Sequence, residues 1–142
     1  PRLLDIGVLP DIMTGNIIGI ISQRLVRLLC PECKKPREAD ETDSKLLGVE
    51  YVSEALTIYD AAGCPHCDNT GYKGRVAIIE ALRIDNELDE LIAKRATLGE
   101  LRACAKSTGY KSLADDAIRR VLDGETTLQE VSRVIDLTQR LM

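Results

Sequence analysis

The sequence predicts an α+β chain in which a β-hairpin carries a long metal-binding excursion and short helices follow. Three observations lead there. Two Cys-x-x-Cys pairs, Cys30-Pro-Glu-Cys33 and Cys64-Pro-His-Cys67, stand well apart in the chain. Two β-branched runs, 20–29 and 75–84, flank them. From Asp85 onward the apolar residues take a helical period and capping signals recur.

The cysteines come first. A Cys-x-x-Cys turn points both sulfurs to one side, so two such turns can complete a tetrahedral thiolate set. The second pair runs on as Cys67-Asp-Asn-Thr-Gly71-Tyr-Lys-Gly74. Glycines there let the backbone turn tightly and bring its N–H groups toward the sulfurs. Cys30, Cys33, Cys64 and Cys67 therefore read as the ligands of one structural Zn²⁺. Iron would use the same ligands. A disulfide framework would leave the fifth cysteine, Cys104, unpaired, and there is no secretory signal. In a thioredoxin-like redox pair the second cysteine lies on a helix that follows a strand, whereas here a Gly-rich turn follows Cys67 and argues against a continuing helix. His66, the single histidine, sits inside a Cys-x-x-Cys turn and reads as a solvated surface residue.

The chain has 142 residues, about one domain. It begins at Pro1 and reads as a piece of a longer protein. With no Phe or Trp and four Tyr, the core must be built from Leu, Ile, Val and Ala. A net charge of −4 does not favour a polyanionic partner. No apolar run reaches the ~20 residues of a membrane span. Free Cys-x-x-Cys pairs suit a reducing, cytoplasmic setting.

Residues 2–7 read as the tail of a helix with Gly7 just past its end. Pro10 and Asp11 open another, with Ile12, Ile17 and Ile18 on its apolar side and Gly15 and Gly19 weakening it. The run 20–29 fits a strand delivering the chain to Cys30, with a helix as the alternative. Lys34–Asp43, charged and holding Pro36, reads as a loop. Ser44–Val49 reads as a short helix ended by Gly48, and Ala55–Tyr59 as a short strand. This insert has few large apolar residues, so metal binding is expected to help it fold. Val76, Ile78, Leu82 and Ile84 fall on one face of the returning strand, interrupted by Glu80.

Asp85 reads as an N-cap, followed by Leu88, Leu91 and Ile92 at helical spacing. Thr97-Leu-Gly-Glu100 and Thr127-Leu-Gln-Glu130 read as capping boxes. The first leads into Leu98, Leu101 and Ala105; the second into Val131, Val134 and Ile135. Between them Ser112 opens a helix with Leu113, Ala117, Ile118, Val121 and Leu122 aligned, and Gly124 closes it. These helices read as a bundle packed through Leu88, Leu101, Ile118 and Val131. Cys104 reads as a small hydrophobe there.

Several of these stretches together resemble one family. They are Arg2-Leu-Leu-Asp-Ile-Gly7-Val-Leu-Pro10, Ser22-Gln-Arg-Leu-Val-Arg27-Leu-Leu-Cys30-Pro-Glu-Cys33, and Cys64-Pro-His-Cys67 with Asn69-Thr-Gly71-Tyr72. Gly74-Arg75-Val-Ala-Ile-Ile-Glu80 and Gly124-Glu-Thr-Thr127-Leu-Gln-Glu130-Val-Ser-Arg133 complete the set. In order and spacing they resemble the C-terminal region of the tetracysteine ATPases of type II secretion and type IV pilus assembly. The resemblance implies a RecA-like core closed by residues 1–29 and 75–84. Residues 30–74 would be its zinc-binding insert and 85–142 its C-terminal helical region. It also implies a cytoplasmic homohexamer, peripheral to the inner membrane through a platform protein, with ATP and Mg²⁺ bound elsewhere in the full-length protein. No Gly-x-x-x-x-Gly-Lys-Ser/Thr occurs here, so no catalytic or nucleotide-binding residue is assigned. Arg24, Arg27 and Arg75 match basic positions of the family motif. A subunit-interface or nucleotide role and ordinary surface ion pairing both remain open for them.

Two other functions compete with the motor reading. A zinc-ribbon nucleic-acid binder needs a basic surface with aromatics, which an acidic chain with few aromatics does not offer. A thiol oxidoreductase needs the helix that the turn after Cys67 argues against.

Overall fold

A computed structural model describes residues 2–48 and 56–137. Expectations that fall on Val49, Ala55 or residues 138–142 lie outside the described residues. The order of elements is α1 (Arg2–Asp5), α2 (Pro10–Met13), β1 (Gly19–Leu29), β2 (Lys35–Glu38), α3 (Glu41–Leu47), β3 (Thr57–Asp60), β4 (Tyr72–Arg83), α4 (Asn86–Ala93), α5 (Leu98–Ser107), α6 (Leu113–Leu122) and α7 (Leu128–Val134).

β1 and β4 form a two-stranded sheet. Ile84 N donates to Ile18 O at 3.1 Å, and Cys30 N to Gly71 O at 3.0 Å at the other end, so the strands run antiparallel. The expected hairpin is therefore present, with the cysteine-bearing excursion at its far end. Alternation on β4 follows the sequence pattern: Ile78 is buried, Val76 and Leu82 half-buried, and Arg75, Ile79 and Arg83 exposed. Glu80 sits in the inward row because Tyr110 donates its hydroxyl to it at 2.8 Å.

Several expectations are corrected. α2 is one turn that ends at Met13, and Gly15 turns the chain away at φ +72°. Ile17 and Ile18 are therefore not on it, and Ile18 is 83% exposed. The 34–43 stretch is not a loop. Its first part is β2, which pairs antiparallel with β3 through Lys35↔Asp60, Pro36↔Tyr59, Arg37↔Ile58 and Glu38↔Thr57. Both strands of a two-stranded ribbon are edges, so Pro36 leaves no ladder donor missing on its outer side. α3 starts at Glu41, earlier than expected, because Asp40 and Asp43 close a capping box across its first turn. Gly48 ends it in the left-handed conformation, as the sequence suggests.

The chain divides into two compact units. One comprises the described residues up to Ser22 with Glu80–Ser112. Here Asp85 caps α4 through Leu88 N at 3.0 Å, and Thr97 and Glu100 close a reciprocal box on α5. Leu88 is 1% exposed and Cys104 is buried, its thiol pushed up by burial and by the nearby Glu87 and Asp85 charges. Leu98 is 58% exposed and not part of a packed face.

The other unit comprises Gln23–Ile79 and the described residues from Leu113 onward. Its core joins Val26 and Ile78 of the hairpin, Ala39, Leu47 and Ile58 of the insert, and Ala117, Ile118, Val121, Leu128 and Val131 of α6 and α7. The helices after Asp85 thus divide, α4 and α5 in one unit and α6 and α7 in the other. The insert shares its core with α6 and α7 and does not stand on metal alone.

Ile118 lies 7% exposed in that aliphatic core. Ile118→Asp should destabilise the unit by about 4 kcal/mol or more, because no partner is placed to meet a buried carboxylate. Urea unfolding of the variant checks this; a midpoint shift equivalent to under about 1 kcal/mol would refute the assignment.

Candidate metal centre

β1 delivers Cys30 directly from its last residue, Leu29. Lys34 N donates back to Cys30 O at 3.1 Å, closing the first cysteine turn. The second turn is a single 3₁₀ turn, Pro65–Cys67, in which Pro65 takes the first helical position and needs no donor. Helix does not continue, as the sequence reading requires. The residues that stop it are Asp68 and Asn69, at φ +51° and +59°, and not glycines. Short polar side chains tolerate this left-handed backbone better than most. Asn69 N donates to Cys64 O at 2.9 Å, which folds the turn back under the sulfurs.

The four expected cysteines come together, and their sulfurs all lie within 4.8 Å of one another. Cys30 Sγ is 3.9 Å from Cys64 Sγ, Cys33 Sγ 3.8 Å from Cys67 Sγ, and Cys64 Sγ 3.8 Å from Cys67 Sγ. A tetrahedron with metal–sulfur bonds of ~2.3 Å has edges of ~3.8 Å. Cys64 and Cys67 each have two near sulfurs, whereas disulfides pair sulfurs one to one. The set fits one shared ion.

Backbone amides support it. Gly63 N donates to Cys33 Sγ at 3.3 Å, Cys64 N to Cys67 Sγ at 3.3 Å, and Gly71 N to Cys67 Sγ at 3.2 Å. The expected role of Gly71 is thus met, and Gly63 adds a second such donor that the sequence reading missed. A Cβ at Gly71 would stand 2.6 Å from Ala61 Cβ, and one at Gly63 2.8 Å from Asn69 O. Burial works against ionisation at Cys67, but the amides of Cys64 and Gly71 and the neighbouring thiols outweigh it and bring its pKa down to about 6. Burial pushes Cys33 up to about 11 against the pull of the Gly63 amide. His66 is exposed and lies 2.9 Å from Lys73 Nζ through its Nε2, outside the cluster.

A second constellation involves Arg27, three residues before Cys30. Glu130, 1% exposed, accepts from Arg27 N at 3.1 Å, Arg27 Nη2 at 2.7 Å and Arg133 Nη2 at 2.7 Å. The Thr127–Glu130 box is therefore only half formed. Thr127 accepts from Glu130 N, but the Glu130 carboxylate turns to the arginines, where charge-assisted bonds are stronger than one bond to its own N-cap. Arg27 also lies over the Tyr72 ring at 4.1 Å, and Tyr72 Oη is 2.9 Å from Thr127 Oγ1. Among the described residues Arg24 donates to Gln23 O at 3.1 Å, and neither it nor Arg75 makes an ion pair. No local signal separates a Glu that closes a box from one that reaches across the fold.

Most of the chain is similar to known proteins. Residues 1–133 match the model of a family described as type II/IV secretion system protein. The type IV pilus assembly ATPase TfpB of Acinetobacter baylyi is 40% identical over 96% of this chain and 24% of its own length. Type II secretion system protein E of Pseudomonas aeruginosa is 41% identical over 94% of this chain and 26% of its own length. The type IV pilus assembly ATPase PilB of Thermus thermophilus is 38% identical over 92% of this chain and 15% of its own length. The chain thus spans between 15% and 26% of the length of each.

The Glu130 clamp makes stability pH-dependent. Burial opposes its charge, but Arg27 and Arg133 outweigh burial and hold its pKa down to about 2. A depressed folded-state pKa contributes stability that is present above the unfolded value of ~4.3 and lost as pH falls toward 2. Glu130→Gln should cost about 2 kcal/mol at pH 7, and the gap to the parent should close between about pH 4 and 2. Urea midpoints at both pH values check this; a gap that stays constant would show that the charge contributes nothing.

Proposed function

The chain belongs to the type II/IV secretion system protein family, and from that premise we propose that it is the C-terminal, zinc-binding part of a hexameric ATPase motor. That motor drives type II protein secretion or type IV pilus assembly. The observation that carries the reading is the four-sulfur cluster within a chain matched almost end to end by secretion and pilus ATPases.

In this reading Cys30, Cys33, Cys64 and Cys67 hold one Zn²⁺. A closed set of four thiolates leaves no open position for substrate, so the ion's chemistry is structural. It pins the end of β1 to the 63–71 loop. Residues 1–29 and 75–84 close a RecA-like core. Ile6, Ile18 and Ile21, 74%, 83% and 75% exposed, favour this, because a segment that completes a larger core leaves large apolar side chains bare when taken alone. The part described here scaffolds and couples, and it hydrolyses no nucleotide itself. ATP and Mg²⁺ bind elsewhere in the full-length protein, which assembles with its own copies and with an inner-membrane platform protein from the cytoplasmic side. Among the described residues no helix is long and apolar enough to cross a membrane.

Metal content tests the first half. Protein purified without chelator should carry about one zinc per chain. Folded protein with metal content near zero sinks the assignment. Cys64→Ser should disorder the 30–74 segment more than α4 and α5, read by hydrogen exchange.

ATP turnover tests the second half. The 142-residue chain should show none, because phosphoryl transfer needs a phosphate cradle with its lysine and metal ligands. The full-length protein should hydrolyse ATP. In it Cys64→Ser should impair secretion or pilus assembly and leave nucleotide binding largely intact. Turnover by the short chain, or lost nucleotide binding in the variant, would overturn the scaffold role.

A further inference from the structure

Three arginines converge where only one carboxylate is present to balance them. A cleft of about 390 Å³ is lined by Leu25, Val26, Arg27, Arg75, Glu130 and Arg133. β1 and β4 run side by side here, so Arg27 and Arg75 come from neighbouring strands, while α7 supplies Glu130 and Arg133. Three guanidinium groups against one carboxylate leave the cleft at +2. Glu130 cannot supply more, since its two oxygens already accept from Arg27 and from Arg133. Arg75 is exposed and makes no ion pair among the described residues. Arg27 Nε is buried and has no hydrogen-bond partner, the one such side-chain atom among the described residues.

An unsatisfied buried donor beside an excess of positive charge, one arginine of it without a partner, is an arrangement that costs stability unless an anion meets it. We propose that this cleft binds a phosphate group. Guanidinium forks match the oxygens of phosphate, and several arginines around one small cavity favour a compact dianion. The chain's net charge of −4 argues against a polyanion but has no bearing on a single phosphate at a locally positive cleft. The lining offers Leu25 and Val26 and no aromatic ring on which a nucleobase could stack. Recognition therefore rests on the phosphate and not on a nucleoside attached to it.

The cleft shares no residue with the cysteine cluster. Arg27 both clamps Glu130 and lines the cleft, so bound phosphate would be felt along the end of β1. Arg75 is the residue to test, because its exposure and lack of partners mean that its loss leaves the fold alone.

Inorganic phosphate, pyrophosphate and ADP are titrated separately into the 142-residue chain at constant ionic strength, with chloride as the control, and arginine side-chain NMR signals are followed. Saturable shifts at Arg27, Arg75 and Arg133 are expected with phosphate and pyrophosphate. Arg75→Gln should weaken binding about tenfold or more, since it removes a charge-assisted donor. Arg24→Gln, on the strand that carries Arg27 but outside the cleft, should change nothing. ADP should bind no tighter than pyrophosphate. Shifts that do not saturate, that chloride reproduces, or that Arg24→Gln weakens equally would overturn the site. Tighter binding of ADP with shifts beyond the cleft would overturn phosphate as the recognised group.

Discussion

The buried carboxylate of Glu130 is the constraint around which the larger unit is arranged. A carboxylate that is 1% exposed is tolerable only if it is paired and hydrogen-bonded. Its partners come from two directions, the backbone and guanidinium of Arg27 on β1 and the guanidinium of Arg133 on its own helix. Bonding Arg27 N as well as its side chain matters. The side chain alone would tether α7 loosely, whereas the amide bond fixes the strand's backbone against the first turn of the helix. Arg27 is three residues from Cys30, so the position of α7 and the position of the first cysteine turn are set together.

The turn between α6 and α7 extends that link. Gly124 adopts φ +70°, and a Cβ there would stand 2.8 Å from the Tyr59 ring. Lys34, next to Cys33, donates to Gly124 O at 2.9 Å and lies over the Tyr59 ring at 4.6 Å. Leu29 N donates to Glu125 O at 2.8 Å, and Thr126 Oγ1 donates to Arg27 O at 2.8 Å. Every residue of the turn from Gly124 to Thr127 thus meets a residue that flanks or belongs to the cysteine-bearing segment. The turn's polar groups are satisfied by that segment, and the segment's apolar residues are covered by α6 and α7. Neither half has a complete core or a complete set of hydrogen bonds without the other.

This interdependence explains what could and could not be read from the sequence. The cysteine set, the hairpin strands and the N-caps at Asp85 and Thr97 depend on residues close together or on strong periodic signals, and they were legible. β2 was hidden because Pro36 reads locally as a loop residue, and only its pairing with Tyr59 across the ribbon makes it a strand. The reading of 127–130 as a full box failed at Glu130 for a related reason. The same Thr-x-x-Glu spacing occurs at 97–100, where it closes because Glu100 is exposed and has no stronger partner. At Glu130 two arginines compete for the carboxylate, one of them from more than a hundred positions away. The division of the helices was equally invisible, since an apolar face shows that a helix packs and only tertiary contacts tell which core it covers.

The cluster itself combines local and distant control. Each Cys-x-x-Cys turn places its two sulfurs by short-range geometry, but the distance between the turns is set by the β1–β4 hairpin, through Cys30 N to Gly71 O. Gly71 also gives its own amide to Cys67 Sγ four residues back, and the absence of a Cβ at Gly71 lets Ala61 close over it. Four thiolates around a divalent cation leave a net negative charge, which amide donors offset without adding a cation that would compete for the sulfurs. A hairpin that slipped by one residue would move Gly71 away from Cys30 and turn the core residue of the shifted strand, Val26 or Ile78, out of the core. Strand register, core packing and sulfur geometry are therefore one condition, and a change that breaks any of them should be felt at the other two.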